Sequence, residues 1–168
     1  MNCERMRMAS RAALTGSVAL LVACEHAPPY SAVPAPPQQV QVDSRIVLRS
    51  PLTFPPGGTE LLFQNEQLVP AGKLSRDMPF CRLTPQGGAP RVLQPATFTV
   101  AGVTYGEREV GATGAMTSVT RIALTPDPKL PGYTMSCGWP EGTASRGFVN
   151  TEQIFNAIGG QFSMDLLR

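Results

Sequence analysis

The alternation of apolar and polar residues from Asp43 onward divides the chain into short segments that predict β-strands. Runs of about four to eight residues, rich in β-branched and aromatic side chains, alternate with turn residues, as in an all-β domain. The predicted strands are residues 46–49, 60–65, 80–83, 97–100, 118–124 and 133–137. Pro and Gly mark the predicted turns at residues 55–58, 85–88, 125–128 and 131–132, where a fixed or positive φ is favoured.

One segment near the C-terminus departs from this pattern and predicts a two-turn helix over residues 150–159. Asn150 is the expected N-cap, with Gln153 as its partner in a capping box. Gly159 is expected to close the helix in the left-handed conformation. The side chains expected to point into the core are Ile154, Phe155 and Ile158.

Together these elements predict a mainly β fold, with residues 162–167 returning as a last strand. We expect a small antiparallel sheet, a barrel or a two-sheet sandwich, with one short C-terminal helix docked on it. The composition agrees, because 17 Pro, 16 Gly and only 15% charged residues favour short strands joined by turns over long surface helices. We predict a single globular domain at residues 43–168, large enough for one core.

The N-terminal 23 residues have the order of a secretory signal peptide. Arginines lie within residues 1–11, and residues 12–23 carry no charge. The apolar run is too short for a bilayer core, which needs about 20 residues. We therefore interpret residues 1–23 as a leader that is removed, and not as a membrane anchor.

The end of this leader, Leu21-Val22-Ala23-Cys24, resembles the lipobox of bacterial lipoproteins. The resemblance implies that Cys24 carries a diacylglyceryl group and becomes the new N-terminus, with palmitate-type chains that hold the protein on a membrane. Asp after the modified Cys tends to mark inner-membrane retention, and here the residue is Glu25, so the resemblance implies the periplasmic face of the outer membrane. The alternative is an ordinary secretory leader that contains Cys24.

Residues 24–42 form the expected link between the lipid and the domain. Residues 25–41 are rich in Pro, which favours an extended polyproline II segment of roughly 50 Å. We interpret this segment as a tether that holds the domain off the membrane. The alternative is a PxxP-like ligand at residues 34–37.

The charge distribution argues against nucleic acid as a partner. Three arginines and one glutamate in the leader account for the formal charge of +2, which leaves residues 24–168 neutral. After processing, the lysines that remain are Lys73 and Lys129. A nucleic-acid binder needs clustered basic residues to displace counterions from phosphates.

The cysteines predict one structural disulfide. Cys3 leaves with the leader and Cys24 takes the lipid, so Cys81 and Cys137 remain to pair in an oxidising compartment. The alternative is a pair of free buried thiols. Their wide spacing does not match a Cys-x-x-Cys redox motif, and two cysteines without a histidine in the domain do not make a usual zinc site. We predict no cofactor and no metal.

Catalytic motifs give no support for an enzyme. The single histidine, His26, lies in the tether, which argues against a Ser-His-Asp or Cys-His centre in the domain. Glu107 and Glu109 around Arg108 could act like the paired acids of glycosidases. Because Gly106 and Gly111 flank them, we instead expect a solvated turn or edge.

Trp139, in Cys137-Gly138-Trp139-Pro140, has two interpretations. We expect it to pack on the neighbouring disulfide. The alternative is an exposed binding anchor, since Trp is enriched at binding hot spots.

Three segments of the domain resemble a group of uncharacterised exported proteins of proteobacteria. They are residues 60–64 (ELLFQ), 78–83 (MPFCRL) and 98–100 (FTV). Asn65 stands where that group leads us to expect Gly, and the resemblance carries no activity with it. The sequence therefore predicts a non-enzymatic, lipid-anchored envelope protein that binds or scaffolds another envelope component. The alternative is a small inhibitor or sequestering module, of the lysozyme-inhibitor type, acting on a cell-wall enzyme or glycan.

Overall fold

The computed structural model describes residues 39–126, 131–143 and 146–166, which belong to one compact unit, Pro34–Arg168. Strands account for 48% of the described residues and helices for 9%, which confirms the prediction of a mainly β fold. The strands are β1 (Arg45–Leu48), β2 (Leu52–Thr53), β3 (Leu61–Gln64), β4 (Gln67–Leu68), β5 (Phe80–Pro85), β6 (Val92–Leu93), β7 (Thr97–Gly111), β8 (Gly114–Thr125), β9 (Tyr133–Pro140) and β10 (Phe162–Asp165). Helix α1 is Thr151–Ile158, and Ala71–Lys73 form a 3₁₀ turn.

Eight strands form one antiparallel sheet in the order β10-β1-β7-β8-β9-β5-β3-β4, which curls into a half-barrel. Strands β2 and β6 pair separately, with Leu52 opposite Leu93. All six predicted strands are present, but β7 and β8 are much longer than the predicted 97–100 and 118–124. Part of the predicted turn at residues 125–128 lies outside the described residues.

Helix α1 confirms the predicted capping box and corrects two details. The Asn150 side chain accepts a hydrogen bond from Gln153 N, and the Gln153 side chain accepts one from Asn150 N. Gly159 has φ −58° and ψ −22°, so the helix ends in a right-handed conformation and not in the predicted left-handed one. Phe155 is 39% exposed and does not point inward, because the buried face is centred on Ile154 and Ile158 and continues through Ala157.

The main core lies between the curled sheet and α1. The helix contacts β3, β5 and β10, and therefore bridges strands from opposite ends of the sheet order. The rings of Phe63 on β3 and Phe162 on β10 meet edge to face, with centroids 5.5 Å apart. This contact joins the two ends of the half-barrel through its interior.

The predicted disulfide is present at the centre of this core. Cys81 on β5 lies directly opposite Cys137 on β9, and the two are bonded. Each residue is 1% exposed. The bond closes a loop with a sequence separation of 56, which restrains the unfolded chain by about 4 kcal/mol in the chain-entropy model.

The β7–β8 hairpin contains two irregularities in strand register. Its register shifts between Val100 and Gly102 and, toward β9, between Thr117 and Thr120. Ser118 lies at the second shift with φ +50°. Such bulges bend a strand and increase its twist. We call residues 101–119 the arm. Two of its residues, Met116 and Val119, belong to a second apolar cluster on the other face of the sheet, together with Leu62 and Phe80.

Candidate functional site

The residues predicted from the N-terminal motifs, Cys24 as the lipidation site and His26 in the tether, lie outside the described residues. Lipidation of Cys24 therefore stays a prediction. In the part of the chain that the structure describes, no helix is long and apolar enough to cross a membrane.

Trp139 is buried in the same core cluster as the disulfide and is 6% exposed. Its indole N–H donates to the carbonyl oxygen of Gly147 at 3.1 Å, and the Arg146 guanidinium lies 4.5 Å from its ring centroid. The structure thus favours the packing interpretation. The alternative of an exposed anchor does not fit, because the ring is covered by Arg146 and its N–H already has an acceptor.

Glu107 and Glu109 do not form a catalytic pair. Glu107 is exposed, whereas the Glu109 side chain is 20% exposed and binds two arginines. The expectation of a solvated position is therefore wrong for Glu109, although it holds for Glu107. Since both of its carboxylate oxygens accept from protein donors, they are not free to act on a substrate.

Arg82 is the centre of a cluster of four charged residues, two of which, Arg82 and Glu60, are buried. Its side chain is 2% exposed, and its Nε lies 3.1 Å from an oxygen of Glu60. Its Nη1 lies 3.5 Å from Glu109, and its Nη2 donates to the carbonyl oxygen of Gly114 at 2.7 Å. Arg82 on β5 thereby connects the start of β3 with both strands of the arm.

The two acids of this cluster are also bound from the other side. Arg121 forms an ion pair with Glu109, and the Ser136 hydroxyl donates to the same carboxylate at 3.0 Å. The backbone N–H of Thr113, at the tip of the arm, donates to Glu60 at 2.7 Å, and its hydroxyl also bonds that carboxylate. We call Glu60, Arg82, Glu109 and Arg121 the ion-pair cluster.

Two glycines of β7 let the arm approach these arginines. A Cβ on Gly111 would overlap the guanidinium of Arg82, and a Cβ on Gly106 would overlap that of Arg121. At Gly111 the neighbouring guanidinium belongs to the buried Arg82 and has little room to shift, whereas at Gly106 it belongs to the partly exposed Arg121, which can move.

The ion-pair cluster holds the arm in place and is suited to structure more than to chemistry. Its two acids and two bases balance, and each carboxylate is occupied by protein donors. Among the described residues, no group of three or more His, Cys, Asp or Glu could hold a metal ion. Sequence reasoning missed Glu60, Arg82 and Arg121, although one signal existed: Arg82 interrupts the otherwise apolar segment 80–83.

A groove of about 400 Å³ lies between β3, β4 and the tip of the arm. Its apolar walls include Leu61, Leu62, Leu68, Val69, Pro70 and Ala71. Two of its polar lining residues, Glu60 and Thr113, are hydrogen-bonded to each other. The groove therefore offers apolar contact and not a catalytic centre.

The outer side of the arm is a long strand edge. Strand β1 pairs with β7 only at residues 97–99, and the backbone of Val100 bonds Asp43 and Ser44. Among the described residues, backbone hydrogen bonds to residues 101–111 come from β8 alone. We call residues 101–111 the β7 edge. A strand edge of this kind is a template for pairing with another chain.

The β7 edge carries apolar and charged side chains together. Val110 is 64% exposed, more than any other large hydrophobic residue in the described ranges, and Tyr105 is 38% exposed. The Tyr105 ring packs edge to face on Phe148 at 5.2 Å, and burial raises the pKa of its phenol. Arg108 pairs with Glu141 at 2.8 Å, and this hydrogen bond raises the pKa of Arg108.

With this geometry, the chain is defined as a disulfide-linked antiparallel half-barrel that carries a clamped hairpin arm. Comparisons of the chain with protein-family models, curated proteins and solved structures found no match.

Proposed function

We propose that this protein is a lipid-anchored component of the bacterial cell envelope that binds another envelope protein and has no catalytic activity of its own. The lipobox-like sequence at Cys24 supports the anchoring. The single observation that supports binding is the β7 edge, whose backbone has no partner on its outer side among the described residues. Exposed strand edges are commonly blunted in proteins that do not use them.

The arm has the properties of a binding element. The ion-pair cluster and the two close glycine contacts fix it on the sheet, so little conformational entropy would be lost when a partner binds. Of the acids in the arm, Glu109 is engaged by two arginines and Glu107 is exposed. This arrangement favours recognition over hydrolysis.

Cross-linking in intact cells tests the proposal. We expect the full-length chain to cross-link to one envelope protein, and we expect this product to disappear in a Cys24→Ala variant that no longer reaches the membrane. Protection of cells from lysozyme that is lost on deletion of the gene would favour the inhibitor alternative instead. Hydrolysis of peptidoglycan or an ester by the purified protein, abolished by Glu107→Gln with Glu109→Gln, would contradict the proposal.

A further inference from the structure

We infer that the β7 edge accepts an extended segment of a partner protein as an additional strand, with a basic residue opposite Glu107 and apolar residues beside Tyr105 and Val110. This inference rests on the proposed function, because it names the surface through which the domain holds its partner.

The backbone of the edge supplies the main recognition. In an antiparallel sheet, a strand directs its N–H and C=O groups alternately to its two neighbours, so about half of those in residues 101–111 point away from β8. The edge is longer than an average strand of about 5–6 residues. An extended segment can therefore pair along its whole length, with hydrogen bonds giving affinity and alternate side chains giving specificity.

The apolar side chains of the edge define what the partner must cover. Glu109 and Gly111 face the arginines of the ion-pair cluster, and Val110 between them points to the opposite side. Val110 is 64% exposed, and part of the Tyr105 ring remains open beside Phe148. Val, Ile, Thr or aromatic residues opposite them would bury this surface.

The charge in the middle of the edge defines which sign of charge the partner segment should carry. Arg108 is paired with Glu141, and Glu109 is paired with Arg121. No side-chain hydrogen bond or ion pair among the described residues involves Glu107, which is exposed beside Arg108. The edge thus presents one uncompensated negative charge, and opposite charges directly across a strand pair are favourable.

A second copy of the chain fits this edge poorly. Two identical antiparallel edges related by a two-fold axis place a central residue opposite its own copy. Centres at Glu107, Arg108 or Glu109 bring like charges together. The fully overlapping register, centred on Gly106, pairs Arg108 with Thr104 and Val110 with Gly102, so neither charges nor apolar side chains are matched. These registers favour a segment of different sequence as the occupant.

Two synthetic peptides test the inference on the full-length chain isolated from membranes. Both have the same alternating Thr-Val sequence, and they differ in one central residue, Lys or Glu. We expect the Lys peptide to bind about fivefold to tenfold more tightly than the Glu peptide. We also expect it to slow amide hydrogen exchange in residues 101–111. In a Glu107→Lys variant the preference should reverse, whereas Glu152→Lys, the same charge change on the exposed face of α1, should keep the wild-type preference.

Equal affinity of the two peptides in all variants, absence of binding, or protection outside residues 101–111 would overturn the inference. Protection of the edge without peptide that is lost on dilution would assign it to a second copy and overturn it as well. If cells yield an envelope complex while the peptides leave the edge unprotected, the proposed function stands and this inference fails. If the peptides bind the edge while cells yield no complex, the proposed function fails alone.

Discussion

At the residue scale, Arg82 explains why the arm stays on the sheet. The side chain lies in a buried strand, and removing a charge from water costs several kcal/mol unless counter-charges and hydrogen bonds replace the lost solvent. Glu60 lies at the start of β3 and Glu109 lies in the arm, so both counter-charges reach the arginine only when both segments are folded around it. The burial of Arg82 and the position of the arm are therefore coupled.

Replacing Arg82 should destabilise the protein strongly. In Arg82→Met, Glu60 and Glu109 lose their shared counter-charge, and we expect the free energy of unfolding to fall by about 3–5 kcal/mol. Urea unfolding followed by the fluorescence of Trp139, the single tryptophan of the chain, measures this change. Arg108→Met is the matched control, because the Arg108–Glu141 pair is exposed and should leave the midpoint nearly unchanged. Equal midpoints for wild type and Arg82→Met would contradict this account of the cluster.

Two glycines on the same strand give a second test. In Gly111→Ala the new methyl group displaces the Arg82 guanidinium, and we expect a loss of about 1–3 kcal/mol with faster amide exchange in the arm. In Gly102→Ala nothing lies within 4 Å of the new group, so stability should stay within about 0.5 kcal/mol. Similar losses for both variants in the same urea assay would show that close approach to Arg82 is not the cause.

At the element scale, local signals predicted the helix better than the long strands. The capping box is formed within a few residues, and Asn150 with Gln153 identified it from the sequence. Strand β7 was predicted only to Val100, because the following Gly102, Gly106 and Gly111 and the charged residues among them disfavour strands. They become a strand because β8 pairs with them and the ion-pair cluster holds them, and both causes are non-local.

Removing the cap of α1 should weaken the closure of the half-barrel. Asn150→Ala leaves the amide of Gln153 without its acceptor, and we expect a loss of about 1 kcal/mol in a thermal unfolding measurement. Asn156→Ala makes the same change at an exposed position inside the helix, where Ala has the higher helix propensity. We therefore expect it to be neutral or slightly stabilising. A lower midpoint for Asn156→Ala than for Asn150→Ala would contradict the assigned cap.

At the scale of the whole molecule, composition and turn residues predicted a mainly β domain with one disulfide, and the structure confirms both. The strand order could not be predicted, because it depends on pairings between distant segments, such as β10 with β1. The ion-pair cluster could not be predicted from the sequence for the same reason. Glu60, Arg82, Glu109 and Arg121 come from separate segments, and they meet because β5 and β8 both pair with β9, which places Arg82 and Arg121 on either side of Ser136. The spacing of Glu107 and Glu109 suggested a pair, but only Glu109 faces the cluster.

Under the proposed function, the domain would bind a partner, and one modified residue would set its place in the cell. The half-barrel is fixed by its core, its disulfide and α1, while the arm presents a strand edge outward. The proposed lipid on Cys24 would keep that edge near envelope partners, at a reach set by the Pro-rich tether.

Membrane fractionation at high salt is the measurement that tests the central claim most directly. We predict that the wild-type protein sediments with the outer membrane, because several acyl chains on one residue bind durably and salt does not weaken apolar burial. Cys24→Ala should release the protein from the membrane, and Cys3→Ala, which removes a thiol that leaves with the leader, should not. A Cys24→Ala protein that still sediments with membranes at high salt would contradict the account.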